Sequence, residues 1–99
     1  MNSIIQHERK CFYCNERVYL DSHHILYGNP NRKLSEKYGL KVWLCRKHHT
    51  GNEPNDRGVH FDRQKDLALK QLAQQTAMEY YGWSKEDFIK IFGKNYLEE

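Results

Sequence analysis

Ninety-nine residues allow one small domain, near the lower limit that a single apolar core supports unaided, so a staple is expected. Apolar residues form 38% and charged residues 29% of the chain, a balance that excludes intrinsic disorder, and no apolar run is long enough to cross a membrane. The net charge of +3 is unevenly spread: residues 1–65 hold twelve Lys/Arg against seven Asp/Glu, whereas residues 66–99 hold four against six. A polyanion would therefore meet the first two-thirds.

Met1 to Lys10 carries Gln6, His7 and Glu8 where a secretory signal needs an unbroken apolar stretch, so the cytoplasm is the expected compartment. An odd number of cysteines in a reducing compartment points to metal binding or burial and not to a disulfide framework. Cys11-x2-Cys14 comes first, and Cys45-x2-His48 answers it thirty residues later. Each half sets two ligands a knuckle or a helical turn apart, as tetrahedral Zn2+ requires. The set uses all three cysteines and closes at four ligands, leaving no open coordination position. Such a zinc is structural, and the chemistry must sit elsewhere.

Between these halves, Val18 to Tyr27 is rich in β-branched, aromatic and leucine residues and reads as a strand around the pair His23-His24. Gly28-Asn29-Pro30-Asn31 opens a polar loop, and Leu40 to Leu44 reads as a second strand. A short helix is expected from Cys45 toward Thr50, ending near Gly51, followed by the loop Gly51 to Asn55. After His60 the period changes to 3.6, with Leu69, Leu72, Ala73, Thr76 and Tyr80 on one stripe and Lys70, Gln71, Gln74 and Gln75 off it. Gly82 fits the end of that helix. Ser84 and Asp87 resemble a capping box for a last helix containing Phe88, Ile91 and Phe92. The expected fold class is α+β, a single domain over 1–99: a zinc-stapled ββα unit over 10–60 and two C-terminal helices over 61–97 that supply core.

Three histidines lie close to the staple. His23 and His24, adjacent on a strand, point to opposite faces and divide the work, one ligating and one abstracting a proton. His49 follows the last zinc ligand directly. A hydrolytic metal site on a phosphodiester needs a divalent ion held by few protein groups and a nearby base of near-neutral pKa, and histidine suits both tasks.

The run Ser22-His23-His24-Ile25, a polar loop, then Val42-Trp43-Leu44-Cys45-Arg46-Lys47-His48-His49 resembles the HNH (ββα-metal) endonuclease pattern. It is similar in particular to small phage-encoded HNH proteins through Gly28-Asn29-Pro30-Asn31-Arg32-Lys33 and Gly58-Val59-His60-Phe61, and the likeness covers roughly residues 10 to 97. That resemblance implies hydrolysis of DNA with Mg2+ or Mn2+, His23 and His49 as ligands of the catalytic ion and His24 as general base, giving a 5′-phosphate and a 3′-hydroxyl. Phage recombination or packaging proteins are the partner classes it suggests. The chain departs from the pattern at His48, where the family has Cys, and in lacking the Asn expected shortly before Leu44-Cys45. Asn29 or Asn31 is the candidate to orient the base in its place. For the third metal ligand, His60 is the first choice and Asn52 the second.

Arg32, Lys33, Lys37, Arg46 and Lys47 flank the proposed centre and are the candidate phosphate contacts, able to position DNA without reading its sequence. The rival reading is a zinc-containing DNA- or protein-binding module on an HNH frame that does not cut.

Overall fold

A computed structural model describes residues 2–97; positions 1, 98 and 99 lie outside the described residues. Strand β1 (Leu20–His24) pairs antiparallel with β2 (Lys41–Cys45), in a register that sets Leu20 opposite Cys45 and His24 opposite Lys41. Alternation along β2 sends Val42 and Leu44 into the core and leaves Trp43 half-buried on the other face. The N-terminal segment covers the outer edge of β2: the Ser3 hydroxyl donates to the Lys41 carbonyl (2.6 Å), the Trp43 amide donates to Gln6 Oε1 (2.8 Å), and the Phe12 amide donates to the Trp43 carbonyl (2.8 Å). Among the described residues the opposite edge, that of β1, has no strand beside it.

Where the sequence predicts a polar loop between the strands, the chain forms helix α1 (Asn31–Tyr38). The segment NRKLSEKY is short and strongly polar on average, and its apolar side is only Leu34 and Tyr38, four residues apart, so it passes for a loop. Tertiary contacts stabilise it instead. Buried Ser35 donates its hydroxyl to the Leu26 carbonyl (2.6 Å) and accepts from the Leu26 amide (3.1 Å). Gly39, at φ 75°, then turns the chain into β2; a Cβ there would sit 2.6 Å from the Asn2 carbonyl oxygen, so no other residue fits without displacement.

Helix α2 (Arg46–His49) leaves β2 with Cys45 as its N-cap. The following loop contains a small hairpin, β3 (Asn52–Glu53) and β4 (Asp56–Arg57), which sequence reasoning did not anticipate because both strands are two residues long and polar. A 3-10 turn (Val59–Phe61) leads into α3 (Arg63–Tyr81), whose N-cap Asp62 accepts from the Gln64 and Lys65 amides at 3.0 and 3.1 Å. Gly82 ends α3 in the left-handed conformation, and α4 (Lys85–Phe92) opens with the expected reciprocal Ser84–Asp87 capping box.

The described chain is thus α+β: two two-stranded sheets, four α-helices and one 3-10 turn. No helix among the described residues is long and apolar enough to cross a membrane. The buried face of α3 differs from the predicted stripe. Leu69, Ala73, Gln74 and Ala77 are buried, while Leu72 and Tyr80 are 37% and 62% exposed. The helix is rotated because Gln74 finds partners inside: its amide donates to Asn95 Oδ1 (2.8 Å) and accepts from the Tyr96 backbone amide (2.7 Å). A satisfied buried amide costs little, so polarity did not keep it out.

The C-terminal helices pack onto α1. Asn31 Nδ2 donates to the Phe92 carbonyl (3.1 Å), and the Tyr81 hydroxyl donates to the Tyr38 carbonyl (2.8 Å). Phe88, fully buried, stacks on Phe92 with ring centroids 4.8 Å apart. We expect Phe88→Ala to lower unfolding free energy in zinc-supplemented urea titrations by about 3–5 kcal/mol, the usual cost of emptying a buried aromatic site. A loss below about 1 kcal/mol would show that α4 is not part of the core.

Candidate metal centres

The two Cys/His halves meet although they lie thirty residues apart in the chain. Cys11 and Cys14 occupy a tight knuckle in which the Asn15 amide donates to the Cys11 carbonyl (3.0 Å) and the Cys11 amide to the Glu16 carbonyl (2.7 Å). Cys45 closes β2, and His48 stands one turn along α2. Ligand atoms of all four lie within 4.8 Å of one another. Zn–S bonds of about 2.3 Å and Zn–N bonds of about 2.0 Å would give tetrahedral S···S edges of about 3.8 Å and S···N edges of about 3.5 Å. Cys14 Sγ to Cys45 Sγ is 3.7 Å, Cys11 Sγ to His48 Nδ1 is 3.6 Å, and Cys45 Sγ to His48 Nδ1 is 3.2 Å. This Cys3His cluster can hold a metal such as zinc, with the four donors that a tetrahedral ion takes.

A second group forms from three elements. His23 comes from β1, His49 from the end of α2 and His60 from the 3-10 turn, with one ligand atom of each within 4.8 Å of the others. The His23 ring sits edge to face with both others, at centroid distances of 5.2 Å to His49 and 5.1 Å to His60, and the His49 and His60 rings are tilted at 4.7 Å. His49 Nε2 and His60 Nε2 are 3.1 Å apart, within the N···N edges of about 3.0–3.4 Å expected around an ion with Zn–N-like bonds.

His23 is 2% exposed, and its Nε2 has no hydrogen-bond partner. A buried polar atom left unpaired costs free energy and calls for an explanation, which an ion shared with His49 and His60 would supply. Burial, followed by the charges of His49, His60, His24 and Lys70, pushes the His23 ring down to about 3, so it is neutral and presents a lone pair. His60 is likewise held below its ordinary value, first by burial and then by His49.

Asp21 fixes the middle histidine. It lies two residues before His23, hence on the same face of β1, and its Oδ2 accepts from His49 Nδ1 (3.0 Å). With the proton on Nδ1, His49 Nε2 carries the lone pair, the arrangement of a carboxylate–histidine–metal relay. Burial alone would raise the Asp21 carboxyl; the His49 hydrogen bond and the charges of His49 and Arg46 hold it below its usual range.

His60 reaches His49 because the β3–β4 hairpin doubles the chain back. Gly58 lies so close beneath α2 that an added Cβ would be 2.7 Å from both the carbonyl carbon and oxygen of His49.

The histidine group opens into a cleft of about 540 Å³ lined by Ser22, His23, His24, Tyr27, Asn29 and Arg32, with Lys33, His49 and His60 among its other walls. Three consecutive residues of β1 share this cleft because it runs along the open edge of the strand. Adjacent histidines on opposite faces can therefore both reach it. His24 Nε2 donates to Glu36 Oε1 (2.8 Å), leaving Nδ1 as the other ring nitrogen. Lys41 binds both oxygens of Glu36, at 3.0 and 2.8 Å, and first Lys41, then His24, hold that carboxyl down to about 2.

Several expected residues lie elsewhere. Asn52 is exposed on β3 and outside the histidine group. Asn31 donates its Nδ2 to the Phe92 carbonyl, and the side chain that meets His24 Nε2 is Glu36. Lys37 packs over the Tyr38 ring at 5.3 Å, Arg46 pairs with Asp21 at 3.4 Å and Lys47 with Asp56 at 3.1 Å; none of the three lines the histidine cleft. Arg46 and Lys47 instead border a groove beside the Cys/His cluster, because they face outward from the first turn of α2. Sequence reasoning missed Asp21 and Glu36. For Asp21 the signal was there, two positions from His23 on a strand; for Glu36 it was faint, since its helix shows only the apolar pair Leu34 and Tyr38.

We expect two metal ions per chain by elemental analysis of protein loaded with zinc and then Mn2+, and one per chain for His60→Ala, whose affinity for the second ion falls by at least about 10–100-fold, the loss seen on removing merely an outer-shell partner. Gly58→Ala should retain the first ion and weaken the second by about tenfold or more, measured by calorimetric titration, because the 3-10 turn must move away from α2. Unchanged second-ion affinity in both variants would mean that His60 is not a ligand.

Comparison with protein-family models, with curated proteins and with solved structures finds no match for this chain.

Proposed function

We propose that the protein is a metal-dependent endonuclease of the HNH type that hydrolyses DNA phosphodiester bonds. One observation carries the reading: three imidazoles converge, with an unpaired, buried His23 Nε2, at the floor of a cleft whose rim holds a fourth histidine and two cations. A purely structural zinc domain has no use for a second, open set of donors. An antiparallel strand pair followed by a short helix, with the ion ligands on the first strand and on the helix, also agrees with the ββα-metal arrangement that the His23-His24-Ile25 and Leu44-Cys45 segments suggest.

His23, His49 and His60 would hold the ion, which when bound supplies Lewis-acid stabilisation of the charge that develops on the phosphate and on the departing 3′-oxygen. Three protein donors leave coordination positions for substrate and water. His24, with Nε2 bound to Glu36, keeps Nδ1 to accept the proton of the attacking water. Arg32 and Lys33 stand at the N-terminal turn of α1, where no side chain caps the helix and no acidic residue intervenes, so cation and helix dipole both favour a neighbouring phosphate. Of the ions considered, Mn2+ suits an all-imidazole set better than Mg2+, which prefers oxygen ligands; Ni2+ and Zn2+ suit it as well.

The test is nicking of supercoiled plasmid by zinc-loaded protein supplied with Mg2+, Mn2+ or Ni2+. We expect cleavage with Mn2+ or Ni2+ to exceed that with Mg2+, and His24→Ala to lower the rate by about 10²–10⁴-fold, the range for loss of a general base, without loss of either metal. Retention of DNA at equal salt with no nicking under any ion would replace this reading with the non-cutting binding module.

A further inference from the structure

Glu36 joins three elements at the rim of the cleft. It sits on α1, its Oε1 accepts from His24 Nε2 on β1 at 2.8 Å, and its two oxygens bind Lys41 Nζ on β2 at 3.0 and 2.8 Å. His24 and Lys41 are direct cross-strand partners on one face of the strand pair. Without an anion between them, an ammonium would face an imidazole that has to gain a proton. Glu36 supplies that anion, and Lys41 holds it in place.

From this arrangement we infer that Glu36 is a positioning residue for the proton-accepting His24, fixing its ring so that Nε2 carries the proton and Nδ1 the reactive lone pair. The inference rests on the nuclease reading above and deepens it. A carboxylate is acceptor-only, so the nitrogen it binds must be the one bearing hydrogen. Orientation matters as much as protonation, since a misplacement of about 1 Å at a reacting group can cost about 10²-fold in rate. The opposing account is a surface ion pair between Glu36 and Lys41 that His24 merely touches. Glu36 has 47% of its side chain exposed, and exposed pairs contribute little to stability. Removing Glu36 should therefore leave the fold nearly intact, which makes a kinetic effect diagnostic.

The experiment compares wild type, Glu36→Ala, Glu36→Gln and Glu79→Ala, the last removing an exposed carboxylate of α3. Each is checked for metal content and thermal unfolding, then assayed for plasmid nicking with Mn2+ and examined by proton–nitrogen NMR of the zinc-loaded protein. The expected result for Glu36→Ala is a fall in kcat of about 10–100-fold with KM within about twofold of wild type, together with loss of the slowly exchanging His24 Nε2–H signal. Glu36→Gln, whose amide oxygen still accepts from Nε2–H, should restore both the signal and most of kcat, and Glu79→Ala should match wild type. Nicking by Glu36→Ala within about threefold of wild type, or a Gln variant as impaired as Ala, overturns the inference while leaving the nuclease reading in place. A wild-type protein that does not nick overturns both, and the His24 signal then reports only on the pairing.

Discussion

The convergence of Cys11, Cys14, Cys45 and His48 is the constraint on which the rest of the structure depends. Cys45 is at once the last residue of β2 and the N-cap of α2, and His48 stands one turn beyond it, so an ion held there ties strand, helix and the N-terminal knuckle at one point. Thiols and an imidazole at 3.2–3.7 Å offer one another only weak hydrogen bonds when no ion is bound. Structural zinc in small domains contributes about 10–16 kcal/mol of apparent binding free energy, as large as the whole net stability of about 5–15 kcal/mol typical of a domain. Metal binding and folding would then be nearly the same event. His49, next in the chain after the last ligand, inherits its position from this clamp.

The histidine group takes one residue from each of three elements, and each element is restrained by a different interaction. His23 is held by the strand register, His49 by the clamp and by Asp21, and His60 by the close seat of Gly58 beneath the backbone of α2. Burial holds the His23 ring well below its ordinary value, and His60 is lowered too, which suits them to coordinate a cation. The lack of a carboxylate among these donors favours transition ions over Mg2+.

Helix α3 does more than provide apolar surface. Lys70 Nζ lies 4.5 Å above the Tyr27 ring and pairs with Asp66 at 2.8 Å, while the Tyr27 hydroxyl donates to Asp66 Oδ1 at 3.1 Å. Tyr27 in turn rests against His60 and His23, with centroids 5.3 and 6.0 Å away. One wall of the cleft is therefore braced by a helix that follows all three histidines in the chain, so the C-terminal segment supports the site as well as the core.

The Cys/His quartet, the strand pair, the helix starting after Cys45 and the Ser84 capping box could all be read from sequence alone, because each follows from local spacing or periodicity. The α+β class followed from those elements. What required the folded chain were the facts that depend on non-local contacts. Helix α1 has too few apolar residues to stand out from a loop and is held by Ser35, Gly39 and the packing of α4; with it came Glu36, whose Oε1 lies 2.8 Å from His24 Nε2. The rotation of α3 was set by partners for Gln74 supplied from the C-terminal segment, which polarity scales count only as a penalty. Sequence could name His60 as a candidate, but only the doubling back of the β3–β4 hairpin brought its Nε2 to 3.1 Å from that of His49. Spacing determines which side chains are able to share an ion, and the path of the chain between them decides whether they meet.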